Sequence, residues 1–394
     1  MGEYCKKNNI PGAMNILMLT DGIQPFAIGG MQKHSQQVAK FLAEAGHTIT
    51  LFHCVYHREK FPDTSDVIGL FGEALMKNLE CHTLAFPRMG ILPGHYIRES
   101  YQYSIDLFER CKDRLGEYDF IYAKGFTAWY FLEKKRRGMK MPPIGVKFHG
   151  YEMFQKPATI KMMIEHYMLR GPVKWNTVNA DYVFSYGGKI TPIIKGMGVT
   201  DDKIIEVPSG ISPDAILDAV PSKTSRRWLF IGRFERRKGI EEIHSAIESL
   251  GPEFGIEFHF IGPIPESRRL RQKNTFYHGL IKEREQINQL MDTCEVLLAP
   301  SHSEGMPNVI LEGMSRGLSV IATDVGAVSR VMDSVCGWWV EPGNVNSLME
   351  VMKAVKACSP EEIREKNNHA LQKISGFAWP AVISLMQSEI SKVL

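Results

Sequence analysis

Several signatures of common enzyme and membrane classes are missing from this sequence. No run of about eighteen apolar residues occurs, so no segment is predicted to cross a bilayer. GxGxxG and GxxxxGK[ST] are both absent, which argues against a dinucleotide oxidoreductase and a P-loop kinase. HExxH and GxSxG are absent too, which argues against the common zinc proteases and serine hydrolases. Without a D-x-D pair, a metal-bridged diphosphate is not indicated.

Cysteine pattern and charge exclude further classes. The seven cysteines are scattered and never spaced CxxC, which favours a reducing cytosol and does not indicate a zinc site. The first dozen residues lack an apolar core and are expected to be a short extension, not a signal peptide. Residues 1–212 hold 26 Lys and Arg against 21 Asp and Glu, so this half is mildly basic. Basic residues are not interleaved with aromatics, and no nucleic-acid partner is expected.

The 394 residues fit two domains, because one ordinary core does not grow to this size. Apolar strand-like runs alternate with helical patterns in two successive series, which predicts two doubly wound α/β domains. The turn VPSGISPD (207–214) marks the boundary between them. We place the domains at 1–210 and 211–377, followed by a terminal helix at 378–394.

The stretch LLAPSHSEGMPNVILEGMSRGLSVIATD (297–324) has the size of one strand, loop, helix and strand unit. Pro307 suits the first position of the helix, which leaves backbone amides from Met306 onward free to face an anion. Glu312 lies five residues further along, about 7 Å at 1.5 Å per residue. Because a carboxylate accepts two hydroxyls well, these residues favour a ligand with a phosphate and a sugar. The alternative is an ordinary α/β loop with a solvated glutamate and a charge near the helix N-terminus, so that Glu304 and Glu312 bind no ligand.

Other candidates follow predicted strands of an open α/β sheet, where ligands bind. Arg233 and Lys238 lie after the first strand of the second domain and are suited to neutralising a diphosphate. Their neighbours Arg236 and Arg237 are interpreted as bystanders, and a basic solvent loop is the alternative for the whole segment. His149 ends another strand and is suited to contacting a sugar or phosphate, although a lone histidine is more often packed or on the surface.

Two further stretches have open interpretations. Lys134 to Arg137 form four adjacent bases at a predicted helix end, which suits either solvation or contact with anionic lipid. The stretch from Lys156 to Trp175 is amphipathic and bears Met and Lys; core packing is its first interpretation, and membrane or acceptor contact is the second.

Taken together, these motifs resemble glycosyltransferase family 4, a large retaining group with the GT-B fold. The resemblance rests on Pro300-Ser301 and SEGMPNVILEGMSRGLSVIATDVG, in which Glu304 and Glu312 are spaced as the family's E-x7-E motif. IGRFERRKG, VPSGIS, the Gly29-Gly30 loop, HG after a strand, and FAWPAV support it. The sequence departs from the family pattern at five positions, none of them an expected phosphate ligand: Ser209, Ser212, Ser319, Ala327 and Ser329.

The resemblance implies roles at the matching positions. Arg233 and Lys238 would hold the donor diphosphate and stabilise the leaving group without a metal, and no cofactor besides the donor is implied. Glu312 would accept the ribose hydroxyls, and His149 would contact the transferred sugar. Glu304 would grip that sugar together with the backbone of four residues: Gly305, Met306, Pro307 and Asn308. Gly29 and Gly30 would approach the diphosphate from the opposite domain, and the terminal helix would cross back onto the N-terminal domain.

The function expected from the resemblance is retaining transfer of a hexosyl or hexosaminyl unit from a nucleotide diphosphate sugar to a glycan or lipid-linked acceptor. A UDP-sugar is favoured over a GDP-sugar, and surface polysaccharide or glycoconjugate synthesis is the expected context. The expected location is the cytoplasm, at the inner face of the membrane, with peripheral membrane contact through the N-terminal domain. The alternatives are a non-catalytic nucleotide-sugar or glycan-binding protein of this fold, and a GT-B sugar-nucleotide epimerase.

Overall fold

The computed structural model describes residues 12–27, 29–56, 61–92, 94–222 and 226–394, so the predicted extension at 1–11 lies outside the described residues. The described chain forms two parallel sheets, one of seven strands and one of six. Most strand residues are buried and apolar, as expected when helices cover both faces of a parallel sheet. The predicted α/β architecture of two doubly wound, Rossmann-like domains facing a central cleft is confirmed.

The first sheet has the strand order β3-β2-β1-β4-β5-β6-β7. Its strands are β1 (Asn15–Leu19), β2 (Thr48–Val55), β3 (Leu79–Ala85), β4 (Phe120–Lys124), β5 (Ile144–Lys147), β6 (Tyr182–Ser185) and β7 (Ile204–Glu206). The helices of this half are α1 (Gly30–Glu44), α2 (Thr64–Phe71), α3 (His95–Cys111), α4 (Trp129–Arg136), α5 (Ile160–Asn179) and α6 (Ile190–Gly196).

The second sheet has the order β10-β9-β8-β11-β12-β13. Its strands are β8 (Arg227–Ile231), β9 (Glu257–Ile261), β10 (Thr275–Tyr277), β11 (Val296–Ala299), β12 (Ser319–Thr323) and β13 (Gly337–Val340). The remaining helices are α7 (Ile240–Leu250), α8 (Arg284–Asp292), α9 (Asn308–Ser315), α10 (Val328–Val331), α11 (Val345–Ala357), α12 (Pro360–Ile374) and α13 (Trp379–Ser391). No helix in the described ranges combines the length and the apolar character needed to cross a membrane.

Each sheet has one point at which the direction of winding reverses. In the first sheet β1 lies beside β4, and in the second β8 lies beside β11. Loops that leave the carboxyl ends of two such strands separate to opposite faces, which opens a crevice between them. The loops carrying Arg233, Lys238 and Glu304 follow β8 and β11, so the strand order alone brings these loops together.

Helix α13 belongs in space to the first sheet, although it follows the second in sequence. Trp379, Val382, Ile383, Met386 and Ile390 are all buried within the apolar cluster that β1, β2 and α1 form. The helix begins just after Ala378, whose segment pairs with Ile211 through an isolated parallel bridge. The chain therefore crosses between the two sheets at residues 211 and 378.

The amphipathic stretch at 156–175 forms α5 from Ile160, and core packing is the wrong interpretation for its first half. Ile160, Ile164 and Tyr167 are 75%, 59% and 75% exposed. Buried side chains begin only at Val173, where the helix reaches the sheet. The first half of α5 therefore presents an apolar surface to its surroundings.

Candidate active site

Glu304 lies in the loop after β11 and is held by two cations of the loop after β8. Its Oε1 is 2.6 Å from Lys238 Nζ and accepts a hydrogen bond from Ser301 Oγ at 2.9 Å. Its Oε2 is 3.5 Å from Arg237 Nη1. Burial raises the pKa of Glu304, but the two cations and the hydrogen bonds outweigh it and hold the pKa below its usual value. Glu304 is therefore a fixed, ionised group beside two cations.

Glu312 lies on α9 and bridges the two halves of the molecule. Its Oε1 is 2.7 Å from Lys33 Nζ on α1 and 3.2 Å from Arg284 Nη1 on α8. Burial raises the pKa of Glu312, but Lys33 and Arg284 lower it below its usual value overall. A cavity of about 370 Å³ borders these three side chains and is lined from both halves. Its size suits part of a nucleotide, since ligand pockets of roughly 300–1,000 Å³ are usual.

Gly29, Gly30 and Gly305 lie where the two halves of the molecule come closest. A Cβ on Gly305 would lie 2.0 Å from the carbonyl oxygen of His149, so only glycine fits while the loops touch. Gly30 is the first residue of α1, and a Cβ there would meet Asn308 Nδ2 at 3.4 Å. Gly29 is the N-cap of α1 and has extended backbone. The Gly29-Gly30 turn therefore faces the N-terminal end of α9 across the cleft.

The N-terminal end of α9 differs by one residue from the prediction. The helix begins at Asn308, and Pro307 is its N-cap, so the placement of Pro307 in the first turn is wrong. Proline with a ψ of 111° is extended, and the chain turns helical only after it. Met306 is buried against the interdomain turn, where the amide of Ser209 donates to its sulfur at 2.9 Å.

His149 follows β5 and is close to four cations, the two lysines that end β4 and β5 and the two cations beside Glu304. Its Nδ1 is 3.1 Å from the hydroxyl oxygen of Tyr186. Burial lowers the pKa of His149 well below its ordinary value, and Lys124, Lys147 and the two Glu304 cations lower it further. A neutral imidazole at this position donates or accepts one hydrogen bond, which is the chemistry needed to hold a sugar hydroxyl.

Arg233 is the one predicted cation that the structure does not bring to the glutamates. Its side chain is 72% exposed, and its Nε contacts Glu235 at 2.9 Å. Arg237, interpreted from the sequence as a bystander, takes the place beside Glu304 instead. Arg237 and Lys238 belong to a short 3₁₀ turn at Arg236–Lys238, whereas Arg233 precedes this turn and contacts Glu235 instead.

Sequence reasoning missed several charged residues at the site. Lys33 and Arg284 lie on the faces of ordinary helices, so only the packing of the two halves reveals them. Lys124 and Lys147 gave a usable signal, since each is a lysine directly ending an apolar strand run. Gln155 also joins the halves, because its Nε2 donates at 2.7 Å to the carbonyls of both Gly150 and Glu304.

Comparison with known proteins agrees with this geometry. The family profile described as "Glycosyl transferases group 1" matches residues 225–356, the segment that carries both glutamates and all of their cation partners described above except Lys33. The teichuronic acid biosynthesis glycosyltransferase TuaC of Bacillus subtilis is 32% identical over 127 residues, or 32% of each chain. The capsular polysaccharide biosynthesis glycosyltransferase CapM of Staphylococcus aureus is 25% identical over 148 residues, which are 36% of this chain and 38% of CapM.

The likeness in three dimensions extends further than the likeness in sequence. Sucrose-phosphate synthase from Thermosynechococcus elongatus superimposes with a TM-score of 0.75 at 17% identity, covering 96% of this chain and 99% of that one. The two sequence relatives, by contrast, are matched over only about a third of their length. Residues 225–356 are therefore a group 1 glycosyl transferase domain, and the two sheets together form the GT-B fold.

Proposed function

We propose that this chain is a retaining, metal-independent glycosyltransferase. It moves a hexosyl or hexosaminyl unit from a nucleotide diphosphate sugar, a UDP-sugar in preference to a GDP-sugar, to a glycan or lipid-linked acceptor. The observation that carries this proposal is the pair of cation-held glutamates, Glu304 and Glu312, whose side chains are only 8% and 13% exposed at the cleft between two doubly wound sheets. The names of TuaC and CapM support a role in surface polysaccharide or glycoconjugate synthesis.

The donor would lie along α9, with its ribose at Glu312 and its sugar at Glu304. Lys238 and Arg237 are already fixed beside Glu304, so a diphosphate entering here meets two preorganised cations. Arg233, which is exposed nearby in the same loop, would contribute only after moving. Fixed cations stabilise the negative charge that develops on the leaving diphosphate, which is the work a metal ion does in other sites.

In this proposal lysine and arginine side chains neutralise the donor diphosphate in place of a metal ion. In the described ranges, no group of three or more His, Cys, Asp or Glu side chains is placed to hold a metal ion. Glu304 and Glu312 instead form ion pairs with lysine and arginine side chains at 2.6 to 3.5 Å.

Retention would follow from attack on the face that the diphosphate leaves. The acceptor hydroxyl oxygen bonds to the anomeric carbon, the bond from that carbon to the diphosphate oxygen breaks, and a phosphate oxygen takes the hydroxyl proton. Glu304 is the alternative, a covalent nucleophile, but its contacts with Lys238, Arg237 and Ser301 favour a positioning role. Neutral His149 would hold a hydroxyl of the transferred sugar near this carbon.

A membrane-borne acceptor is supported by one surface of the N-terminal half. The first half of α5 carries exposed apolar side chains and approaches the chain just after the 89–92 loop, since a Cβ on Gly94 would meet Met168 Cε at 3.5 Å. Ile91 and Leu92 are 87% and 70% exposed. An apolar surface of this kind, on a mildly basic half, suits peripheral contact with the cytoplasmic face of an anionic membrane.

The first experiment is a thermal-shift panel of UDP-, GDP- and ADP-sugars, followed by an assay of nucleoside diphosphate release with acceptor. We expect one donor to stabilise the protein and to be consumed in the presence of EDTA. Product NMR should show the anomeric configuration of the donor. Binding without release would favour the non-catalytic alternative, consumption without acceptor would favour the epimerase, and an inverted product would refute retention.

A further inference from the structure

Two lysines lie side by side at the carboxyl edge of the first sheet, and the reaction described above uses neither. Lys124 ends β4, Lys147 ends β5, and the two residues are direct partners in the parallel register. Neighbouring parallel strands are about 4.8 Å apart, and register partners project from the same face. The side chains of Lys124 and Lys147 are only 4% and 2% exposed. The fold therefore buries two ammonium groups next to each other.

The surroundings do not neutralise this pair. Lys124 Nζ is 3.0 Å from His34 Nδ1, and Lys147 Nζ donates to the carbonyl of Val207 at 3.1 Å and lies 3.8 Å from the centre of the Tyr186 ring. Among the described side chains, no carboxylate forms a salt bridge with either lysine. Burial without a paired anion is costly for an ammonium group.

Asp21, the carboxylate whose charge acts on Lys124, does not complete the pair. Asp21 follows β1 and lies close enough to Lys124 for the lysine to lower its pKa, but burial has the larger effect and raises that pKa overall. Asp21 Oδ1 is buried and has no hydrogen-bond partner among the described residues. Burial lowers the pKa of Lys124 to about 8. Burial and the nearby charge of Lys124 together lower the pKa of Lys147 well below its ordinary value. The charge of Asp21 partly offsets the effect of burial on the pKa of Lys124, whereas the charge of Lys124 adds to the effect of burial on the pKa of Lys147.

These groups line a cavity of about 170 Å³ that also reaches His149 and Glu152. Its remaining walls are mostly apolar and come from the segments that follow β4 and β5 and from α1, α3 and α5. This volume is smaller than the roughly 300 Å³ of the smallest usual ligand pockets, so it suits one charged group rather than a whole substrate. His149 connects the cavity to the donor cleft, because its carbonyl touches Gly305 there.

We propose that Lys124 and Lys147 bind a phosphate group of the acceptor. This inference deepens the proposed transferase function and rests on it for the identity of the ligand. A phosphate monoester carries about −1.5 to −2 charge at pH 7, which matches two ammonium groups, whereas a carboxylate would leave one of them unpaired. A sugar phosphate presents one such dianionic group, and a lipid-linked sugar diphosphate presents two adjacent phosphates with one negative charge each, so either acceptor supplies about two negative charges. The acceptor sugar would then extend past His149 toward the anomeric carbon of the donor.

The first test measures binding without catalysis. Thermal unfolding is followed with inorganic phosphate against chloride at equal ionic strength, and we expect phosphate to raise the Tm by about 2–5 °C. The Lys124→Met/Lys147→Met variant should unfold at or above the native Tm without phosphate, because two unpaired buried charges are gone. It should also lose most of the shift. Lys238→Ala, which alters the donor side, should keep most of it.

A double variant that keeps more than half of the phosphate shift overturns the proposal. So does a double variant that is strongly destabilised without phosphate, since that result would show the lysines to be structural. Lys147→Met alone leaves Lys124 beside Asp21 and must also lose most of the shift, which keeps the test decisive if the double variant does not fold.

The second test identifies the source of the phosphate. Nucleoside diphosphate release is compared for two matched acceptor pairs, a sugar phosphate with its free sugar and a lipid-linked sugar diphosphate with its dephosphorylated counterpart. We expect one phosphorylated acceptor to be preferred at least tenfold, and Lys147→Met to abolish that preference. Equal use of the neutral partners would overturn the proposal. If no acceptor supports release while the phosphate shift still depends on the lysines, the transferase function fails and the anion site remains.

Discussion

Replacing Lys238 by alanine tests the donor site most directly. Lys238 Nζ lies 2.6 Å from Glu304 Oε1, and the side chains are 19% and 8% exposed, so the pair is largely removed from water. At about 4 Å, a unit charge of opposite sign is stabilised by roughly 4 kcal/mol at an effective dielectric constant of about 20. Loss of one preorganised group that stabilises developing negative charge costs about 2.7–4 kcal/mol. We therefore expect Lys238→Ala to reduce kcat about 100- to 1,000-fold.

The effect of Lys238→Ala on folding should be smaller than its effect on turnover. Breaking a buried ion pair costs about 3–5 kcal/mol when the remaining charge is uncompensated. Glu304 keeps Arg237 at 3.5 Å and the hydrogen bond from Ser301 at 2.9 Å, so the loss should stay below about 3 kcal/mol.

The assay couples nucleoside diphosphate release to a continuous readout, and urea unfolding measures stability on the same preparations. Lys273→Ala is the matched control, because it removes the same charge from an exposed pair with Glu253 on the same half of the chain. The control should change neither quantity appreciably, since exposed pairs contribute about 0–1 kcal/mol. A kcat of Lys238→Ala within tenfold of the native value would refute the role given to this lysine.

Three further predictions concern other groups. Burial would raise the pKa of Glu242, but a histidine and an arginine that hydrogen-bond to it lower it to about 2. Its stabilisation is thus complete above its ordinary pKa of about 4.5 and lost as the pH falls towards 2, so Glu242→Gln should flatten acid unfolding in that window. Gly305→Ala should abolish transfer by separating the loops, whereas Gly116→Ala, with open space around it, should be neutral; equal activities would contradict this. Arg237→Ala should reduce kcat more than Arg233→Ala, and the reverse order would contradict the side-chain placement.

The sequence was most informative where one element determines its own structure. The buried strand runs and the spacing between Glu304 and Glu312 predicted the sheets and a common loop-helix unit, because both depend on local periodicity. Helix α2 was predictable but missed: Asp63 and Asp66 exchange hydrogen bonds at 3.0 Å as a capping box. Strand β13 was also missed, since its four residues GWWV show neither alternation nor an uninterrupted aliphatic run.

The partners of the glutamates depended on packing between distant segments. Lys33 and Glu312 are 279 positions apart, and their contact requires the docking of two separately folded sheets. Arg237 contacts Glu304 and Arg233 does not, and the sequence of this basic segment does not indicate which of its arginines makes the contact. Motif spacing thus predicted which loop holds the donor, whereas the contacts of individual side chains in that loop depend on the three-dimensional packing.

The crossing of α13 has a consequence for biosynthesis. Trp379, Val382 and Ile383 complete the apolar cluster around β1, so the first sheet lacks part of its core until this helix has left the ribosome. Domains usually fold in order as they emerge during synthesis. Here the seven-stranded sheet is synthesised first but should complete its folding last, because the six-stranded sheet lies between it and α13 in the sequence. Pulse proteolysis of stalled nascent chains should find residues 227–374 protected before residues 15–206.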